Sequence, residues 1–290
     1  MDDARRIVVH ADSSLAERLG RLVDRRIVFF AGLPGTGKSL LVHQLAHLAM
    51  RPGRAVHLLQ WDVARPVFEA SPAGQRYPLA DGVTHAMIRK AAGLWARYAL
   101  TAWTERDARV GQILIGETPF VGNRFVELAQ RADDRAEALL TDASCRFVVE
   151  VPSREVRAFL EAERERRTAS PLHPREREDA PPSVLHDLWR SLAEEVARDM
   201  GIAGAGGGSE PYDPEVYRRV YETVLRHRNV EAIGLDVILP TQKLSVYDFD
   251  VAPADLMPSE ADADRFIHEA ERRYPDPATL DREIARWWQV

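Results

Sequence analysis

The residues best placed to do chemistry are eight in a row, Gly32-Leu33-Pro34-Gly35-Thr36-Gly37-Lys38-Ser39. They satisfy the spacing G-x-x-x-x-G-K-[ST]. Glycines let the backbone wrap with its N–H groups turned inward, where they can bind phosphate oxygens. A helix opening at the end of the run adds the positive end of its dipole. Lys38 would bridge the β- and γ-phosphates of a nucleotide, and the Ser39 hydroxyl would bind Mg²⁺. With Leu40, these eight form the expected nucleotide-binding segment. Of the 39 basic residues only Lys38, Lys90 and Lys243 are lysines, so one set inside a glycine loop stands out.

That loop needs a strand before it and a helix after it. Residues 26–31 are a continuous β-rich run, fitting a strand buried on both faces, and Leu40 to Met50 is an apolar helix. Further strands are expected at Ala55–Leu59, Gln112–Glu117, Arg146–Val151 and Val230–Leu239. Helices are expected around Ser13–Asp24, from Asp81 to Thr104, through most of Phe120–Leu140, and after a Ser153 cap to about Arg167. Ser183–Met200 and Tyr212–Arg228 read as helical too, as do two short tail helices opening at Ser259 and Asp276. Residues 168–182, rich in proline and charge, read as a flap, and the glycines of 201–208 as a flexible link. Strands alternating with helices predict βαβ units and a mainly parallel sheet of five strands in a three-layer α/β fold. Ligands of such sheets sit at the carboxyl ends of the strands. Gly32, Asp62 and Glu117 lie just past three of those ends.

These features together resemble the P-loop kinases, a branch of the P-loop NTPase superfamily, over roughly residues 26–239. The resemblance rests on the glycine loop, an acidic residue after the second strand, and arginines after the fourth. It implies Mg-ATP as donor and transfer of the γ-phosphoryl group to a hydroxyl of a small acceptor: a sugar, nucleoside, antibiotic or sugar-nucleotide. In that reading Asp62 orients the attacking hydroxyl and accepts its proton, although an Asp there also caps a following turn or helix well. Glu117 would hold Mg²⁺ or its water; Gly116 before it interrupts the apolar strand, and the alternative is that the two acids exchange roles. Arg164 and Arg167, in a lid spanning about 153–182, would swing onto the phosphates with their planar forks. The same helix carries Glu155, Glu161, Glu163 and Glu165, so its arginines have partners along a solvated face as well. The flap should stand open without ligand, its charged composition offering little apolar surface to fix it. Arg65 and Arg124 are candidates to hold the acceptor, against a surface ion pair for the first and a plain connecting loop for the second. The resemblance divides the chain into an N-terminal helical extension (1–25), the kinase-like domain (26–250) and a C-terminal helical extension (251–290).

Composition bounds the rest. With 45% hydrophobic and 29% charged residues over 290 positions, the chain has an ordinary globular profile. A net charge of −6 argues against bulk affinity for duplex nucleic acid or an anionic membrane. The single cysteine, Cys145, excludes an internal disulfide. No apolar run is long enough for a membrane span and the first residues are charged, so the expected compartment is the cytoplasm. His43 and His47 have the i, i+4 spacing of a zinc helix, but Gln44 stands where the motif needs Glu, and packing is the better reading. Trp287-Trp288 reads as packing, within the chain or against a second copy. The runner-up function is an AAA-like or switch NTPase, weakened because no Asp-Glu dipeptide and no Asn-Lys-x-Asp motif occur. A nucleotide-binding regulator without turnover is the third.

Overall fold

Ile27-Val28-Phe29-Phe30-Ala31 has no polar side chain to turn outward, so the strand it forms must be covered on both faces. In the computed structural model, which describes residues 7–80, 82–106, 111–202, 211–241, 244–251 and 254–290, this strand is buried along its whole length. In chain order the elements are α1 (Ser13–Leu22), β1 (Ile27–Ala31), α2 (Lys38–Met50), β2 (Ala55–Gln60), α3 (Trp61–Ala70), α4 (Ala86–Arg106) and β3 (Gln112–Thr118). There follow α5 (Arg135–Thr141), β4 (Cys145–Pro152), α6 (Arg154–Ala169), α7 (Pro182–Ser191), α8 (Ala197–Asp199) and α9 (Pro214–Val224). The last are β5 (Val230–Leu235), β6 (Ala254–Asp255), α10 (Glu260–Arg273) and α11 (Pro277–Ala285). The expected caps form: Ser153 accepts from the Val156 N–H, Ser259 from the Asp262 N–H, and Asp276 from the Thr279 N–H. Each is worth about 1 kcal/mol to its helix.

The described strands lie in the order β5-β4-β1-β3-β2-β6, all pairs parallel. Period-2 alternation divides the sheet's side chains between two faces. Val28, Phe30, Ile113 and Ile115 meet α1 and α2 through Leu19, Leu41 and Leu45. Phe29, Leu114 and Phe147 meet Trp95, Tyr217 and Tyr221 on the opposite side. The result is an α/β fold with helices on both faces of a parallel sheet.

The sheet has six strands among the described residues, not the five expected. The sixth, β6, is two residues long and pairs His57 with Ala254 and Leu58 with Asp255; a strand that short leaves no periodic signal. Strand β5 stops at Leu235, not Leu239, because its neighbour β4 runs out at Pro152, the residue registered with Leu235. Residues 120–140 are mostly loop, not helix. Phe120, Asn123 and Phe125 take left-handed φ of 59°, 63° and 63°, which breaks any helix before α5. The helix expected from Asp81 begins at Ala86; Asp81 itself, Lys243 and residues 203–208 of the glycine stretch lie outside the described residues. Among the described residues, no helix is long and apolar enough to cross a membrane.

Candidate functional site

The carboxyl end of β1 delivers the chain into the glycine loop, where Gly35 and Gly37 take φ of 76° and 97°. Only glycine adopts that region freely. Gly32 is needed for a different reason. A Cβ there would collide with the Tyr217 hydroxyl and Glu150 Oε1. Helix α2 opens at Lys38 with Gly37 as its N-cap and no side chain capping the first turn, so its first N–H groups are open to an anion. Lys38 Nζ donates to the Leu33 carbonyl at 2.6 Å and lies 3.9 Å from Glu117 Oε1. Ser39 Oγ donates to Glu117 Oε2 at 3.2 Å.

Sheet register explains why Glu117 is there. It is paired with Phe30 on one side and Gln60 on the other, so its carboxylate emerges between the glycine loop and the start of α3. Gly116 before it is explained by packing, since a Cβ there would run into the Phe29 ring. Burial pushes the Glu117 carboxyl above its ordinary range; Lys38 opposes this, and the charge of Asp62 adds to it. Asp62 sits in the first turn of α3 instead of ending a strand, and it is exposed. A negative charge there favours the helix N-terminus.

Three buried groups against the loop, Glu150, Tyr217 and Arg157, escaped sequence reasoning. Glu150, fully buried on β4, has Oε1 2.6 Å from Thr36 Oγ1, while Oε2 has no hydrogen-bond partner. Its carboxyl is pushed up to about 8, chiefly by burial, with Lys38 opposing. Tyr217, also fully buried, accepts from the Leu33 N–H at 3.2 Å. Arg157 on α6 donates from Nη1 to the Pro34 and Gly35 carbonyls at 3.4 and 3.3 Å and from Nε to Glu161 at 2.7 Å; its Nη2 has no partner. The Glu150 signal was an acid between Val149 and Val151 in an otherwise apolar stretch of strand. Arg157 was hidden in a helix full of charges.

The lid arginines lie differently from Arg157. Arg164 pairs with Asp179, and Arg167 pairs with Glu163 at 3.1 Å and faces Glu176 at 3.8 Å. The flap expected to stand open is docked. Glu176 accepts from Ser245 Oγ at 2.6 Å, and Asp179 accepts from the Tyr247 hydroxyl at 2.7 Å. Its charges find partners far along the chain, which composition does not reveal. Asp179 lies close enough to Glu117 for its charge to raise that carboxyl.

Searches against protein-family models, curated proteins and solved structures find no match.

The remaining candidates stand on the far side of Glu117. Arg65 is held by both oxygens of Glu69 at 3.1 and 2.9 Å. Arg124 is half-buried in the loop after β3, within electrostatic reach of Asp62 and Arg65. The structure thus gathers Lys38, Ser39, Glu117, Asp62, Arg65 and Arg124 at the carboxyl ends of β1, β2 and β3. It leaves Arg164 and Arg167 engaged with carboxylates of the lid. Among the described residues no group of three or more His, Cys, Asp or Glu is assembled as a metal centre. His47 Nε2 lies instead 2.9 Å from the Phe249 carbonyl. One carboxylate beside a loop hydroxyl nevertheless suits Mg²⁺, which is usually bound through one or two carboxylates together with substrate phosphates.

Proposed function

We propose that the chain is a P-loop phosphotransferase of kinase type, moving the γ-phosphoryl group of Mg-ATP to a hydroxyl of a small acceptor. One convergence carries this reading. The open first turn of α2 with Lys38, the Ser39–Glu117 contact of 3.2 Å, and the acidic Asp62 all meet at the carboxyl ends of neighbouring parallel strands.

The glycine loop's N–H groups and Lys38 receive the phosphates, Lys38 exchanging the Leu33 carbonyl for them. Ser39 and Glu117 would hold Mg²⁺, which supplies charge neutralisation across the β- and γ-phosphates. Asp62 accepts the acceptor's hydroxyl proton while that oxygen forms its bond to the γ-phosphorus. The bond from the γ-phosphorus to the β–γ bridging oxygen breaks, and ADP leaves with the electron pair. Arg157 braces the loop through the Pro34 and Gly35 carbonyls. Arg164 and Arg167 act only if phosphate charge draws them from Asp179 and Glu163.

Calorimetry with Mg-ATP and an ADP-release screen across hydroxyl acceptors test the reading. Lys38→Ala should lose nucleotide affinity and turnover together. Asp62→Asn should keep affinity within a few-fold while transfer falls by about 10²–10⁴. Unchanged affinity and turnover in Lys38→Ala would overturn the site. If Asp62→Asn loses its Mg²⁺ dependence while Glu117→Gln transfers normally, the two acids have exchanged roles.

A further inference from the structure

The far side of the site holds more positive charge than a neutral acceptor would use. Arg89, on α4, donates from Nε to the Thr84 carbonyl at 2.7 Å and from Nη1 to the Gly122 carbonyl at 2.8 Å. Arg124 donates from Nη1 to the Val121 carbonyl at 3.2 Å. A Cβ on Gly122 would stand 3.4 Å from Arg89 Nη1 and 3.8 Å from Arg124 Nη1. The two guanidiniums therefore face one another across that glycine. Among the described residues neither forms an ion pair with a carboxylate, whereas the neighbouring Arg65 is held by Glu69.

Two half-buried cations this close repel each other, and water solvates them only in part. Burial and the charge of Arg124 push Arg89 down to about 10. Burial lowers Arg124 as well, Arg65 adding to the effect and Asp62 opposing it. The backbone carrying Arg124 is held in costly conformations, with left-handed φ at Phe120, Asn123 and Phe125. Strain of this kind persists only where the surroundings over-determine it. Here Tyr221 donates to the Pro119 carbonyl at 3.2 Å and Asn123 Nδ2 to the Glu283 carbonyl at 3.3 Å. Helix α4 and a rigid loop thus hold two facing planar cationic forks, neither in an ion pair among the described residues and Arg124 within electrostatic reach of Asp62, an arrangement matched to an oxyanion.

We propose that Arg89 and Arg124 bind an oxyanion of the acceptor, a phosphate ester or a carboxylate, so that the substrate is an anionic hydroxyl compound. The assignment of this anion to an acceptor rests on the phosphotransferase reading. A neutral sugar or nucleoside would leave both cations unpaired, and a site built around buried polar groups rejects a ligand that cannot satisfy them by a large factor.

The test titrates inorganic phosphate, and separately malonate, into protein saturated with Mg²⁺ and a non-hydrolysable ATP analogue, so that the glycine loop is already filled. The wild type should bind one anion per chain; the stronger of the two probes tells ester from carboxylate. Arg89→Gln and Arg124→Gln should each weaken that binding by at least about tenfold while leaving analogue affinity in place, which also reports that the fold is intact. Arg89→Lys and Arg124→Lys keep the charge without the fork and should fall between. Arg51→Gln, at the opposite end of α2, should bind like wild type. Anion binding that is absent, or equally strong in both Gln variants, overturns the proposal. Failure of the phosphotransferase reading looks different: the wild type does not bind the analogue at all. In that case Lys38→Ala without nucleotide still reads the arginine pair, because its second anion site is intact.

Discussion

Thr36 has one hydroxyl proton and two acceptors in reach, the Leu33 carbonyl at 2.7 Å and Glu150 Oε1 at 2.6 Å. If the proton goes to Leu33, a Glu150 protonated at Oε1 can donate to Thr36 in turn, and both hydroxyl protons are used; an ionised Glu150 leaves a buried charge beneath the loop. The direction of its shift agrees, from an ordinary 4.5 up to about 8. A carboxyl raised on folding binds more protons in the native than in the unfolded chain between those two values. Its contribution to stability therefore falls as pH rises through that window. His43, pushed from 6.5 down to about 4 by burial, has the opposite sign, adding stability as pH rises between 4 and 6.5. In the unfolded chain His43 is half charged at 6.5, so its opposing effect fades over about one unit above that pH while the carboxyl effect continues. Glu117 is raised as well and slopes the same way, so the comparison needed is between wild type and Glu150→Gln. Urea midpoints from pH 6.5 to 8 should fall more steeply in the wild type than in the variant. Parallel slopes would mean that Glu150 is already ionised at neutral pH.

At the scale of elements, α4 carries an instructive glycine. Gly in a helix interior costs up to about 1 kcal/mol relative to Ala, so propensity alone favours replacing it. A Cβ on Gly93 would collide with the Glu127 carboxylate, which lies 3.2 Å from the buried Lys90. Displacing that carboxylate takes from Lys90 its nearer and buried partner and leaves only Glu283 at 3.5 Å; breaking a buried pair costs about 3–5 kcal/mol. Gly93→Ala should destabilise by roughly 3 kcal/mol in urea unfolding, the ion pair outweighing propensity. Gly20→Ala in α1, where nothing lies within 4 Å, should instead gain up to about 1 kcal/mol. Gains at both positions would remove the Lys90–Glu127 pair as a determinant of the core. These two glycines also mark how far a sequence reveals its elements. Strands β1, β3 and β4 were legible because each is an apolar run bounded by turn residues, and the glycine loop because its spacing is specific. The loop after β3 was legible only in its turn-rich start, where Pro119 and Gly122-Asn123 stand; the left-handed Phe120 and Phe125 are announced by nothing local. Glu150 and Arg157 were not legible, because their burial is created by Tyr212 and Tyr217, brought in from far along the chain.

At the scale of the molecule, the last helix and the candidate site are one mechanical unit. Trp287 is buried against Tyr221, with ring centres 6.4 Å apart, and Tyr221 donates to the Pro119 carbonyl. Glu283 on α11 accepts from Asn123 through its backbone and approaches Lys90 to 3.5 Å through its side chain. Trp288 Nε1 donates to Asp199 at 2.7 Å. Strand β6 and helix α10 add to the same connection, since the Leu256 N–H donates to the Leu58 carbonyl and Phe266 packs into the core shared with α4. The C-terminal stretch therefore braces the loop that carries Arg124, and the tryptophan pair finds packing within its own chain. Trp287→Ala opens a cavity behind Tyr221 and should cost about 3–5 kcal/mol. In denaturant the midpoint should drop with the slope unchanged and one transition, because the stretch shares its core with the sheet. Affinity for an ATP analogue should barely move, since Lys38 and the glycine loop lie on β1 and α2. Anion binding at Arg89 and Arg124 should weaken, because the loop between Pro119 and Phe125 loses its backing. Two separate transitions would show that residues 254–290 fold on their own. Unchanged anion binding would uncouple the last helix from the loop it touches.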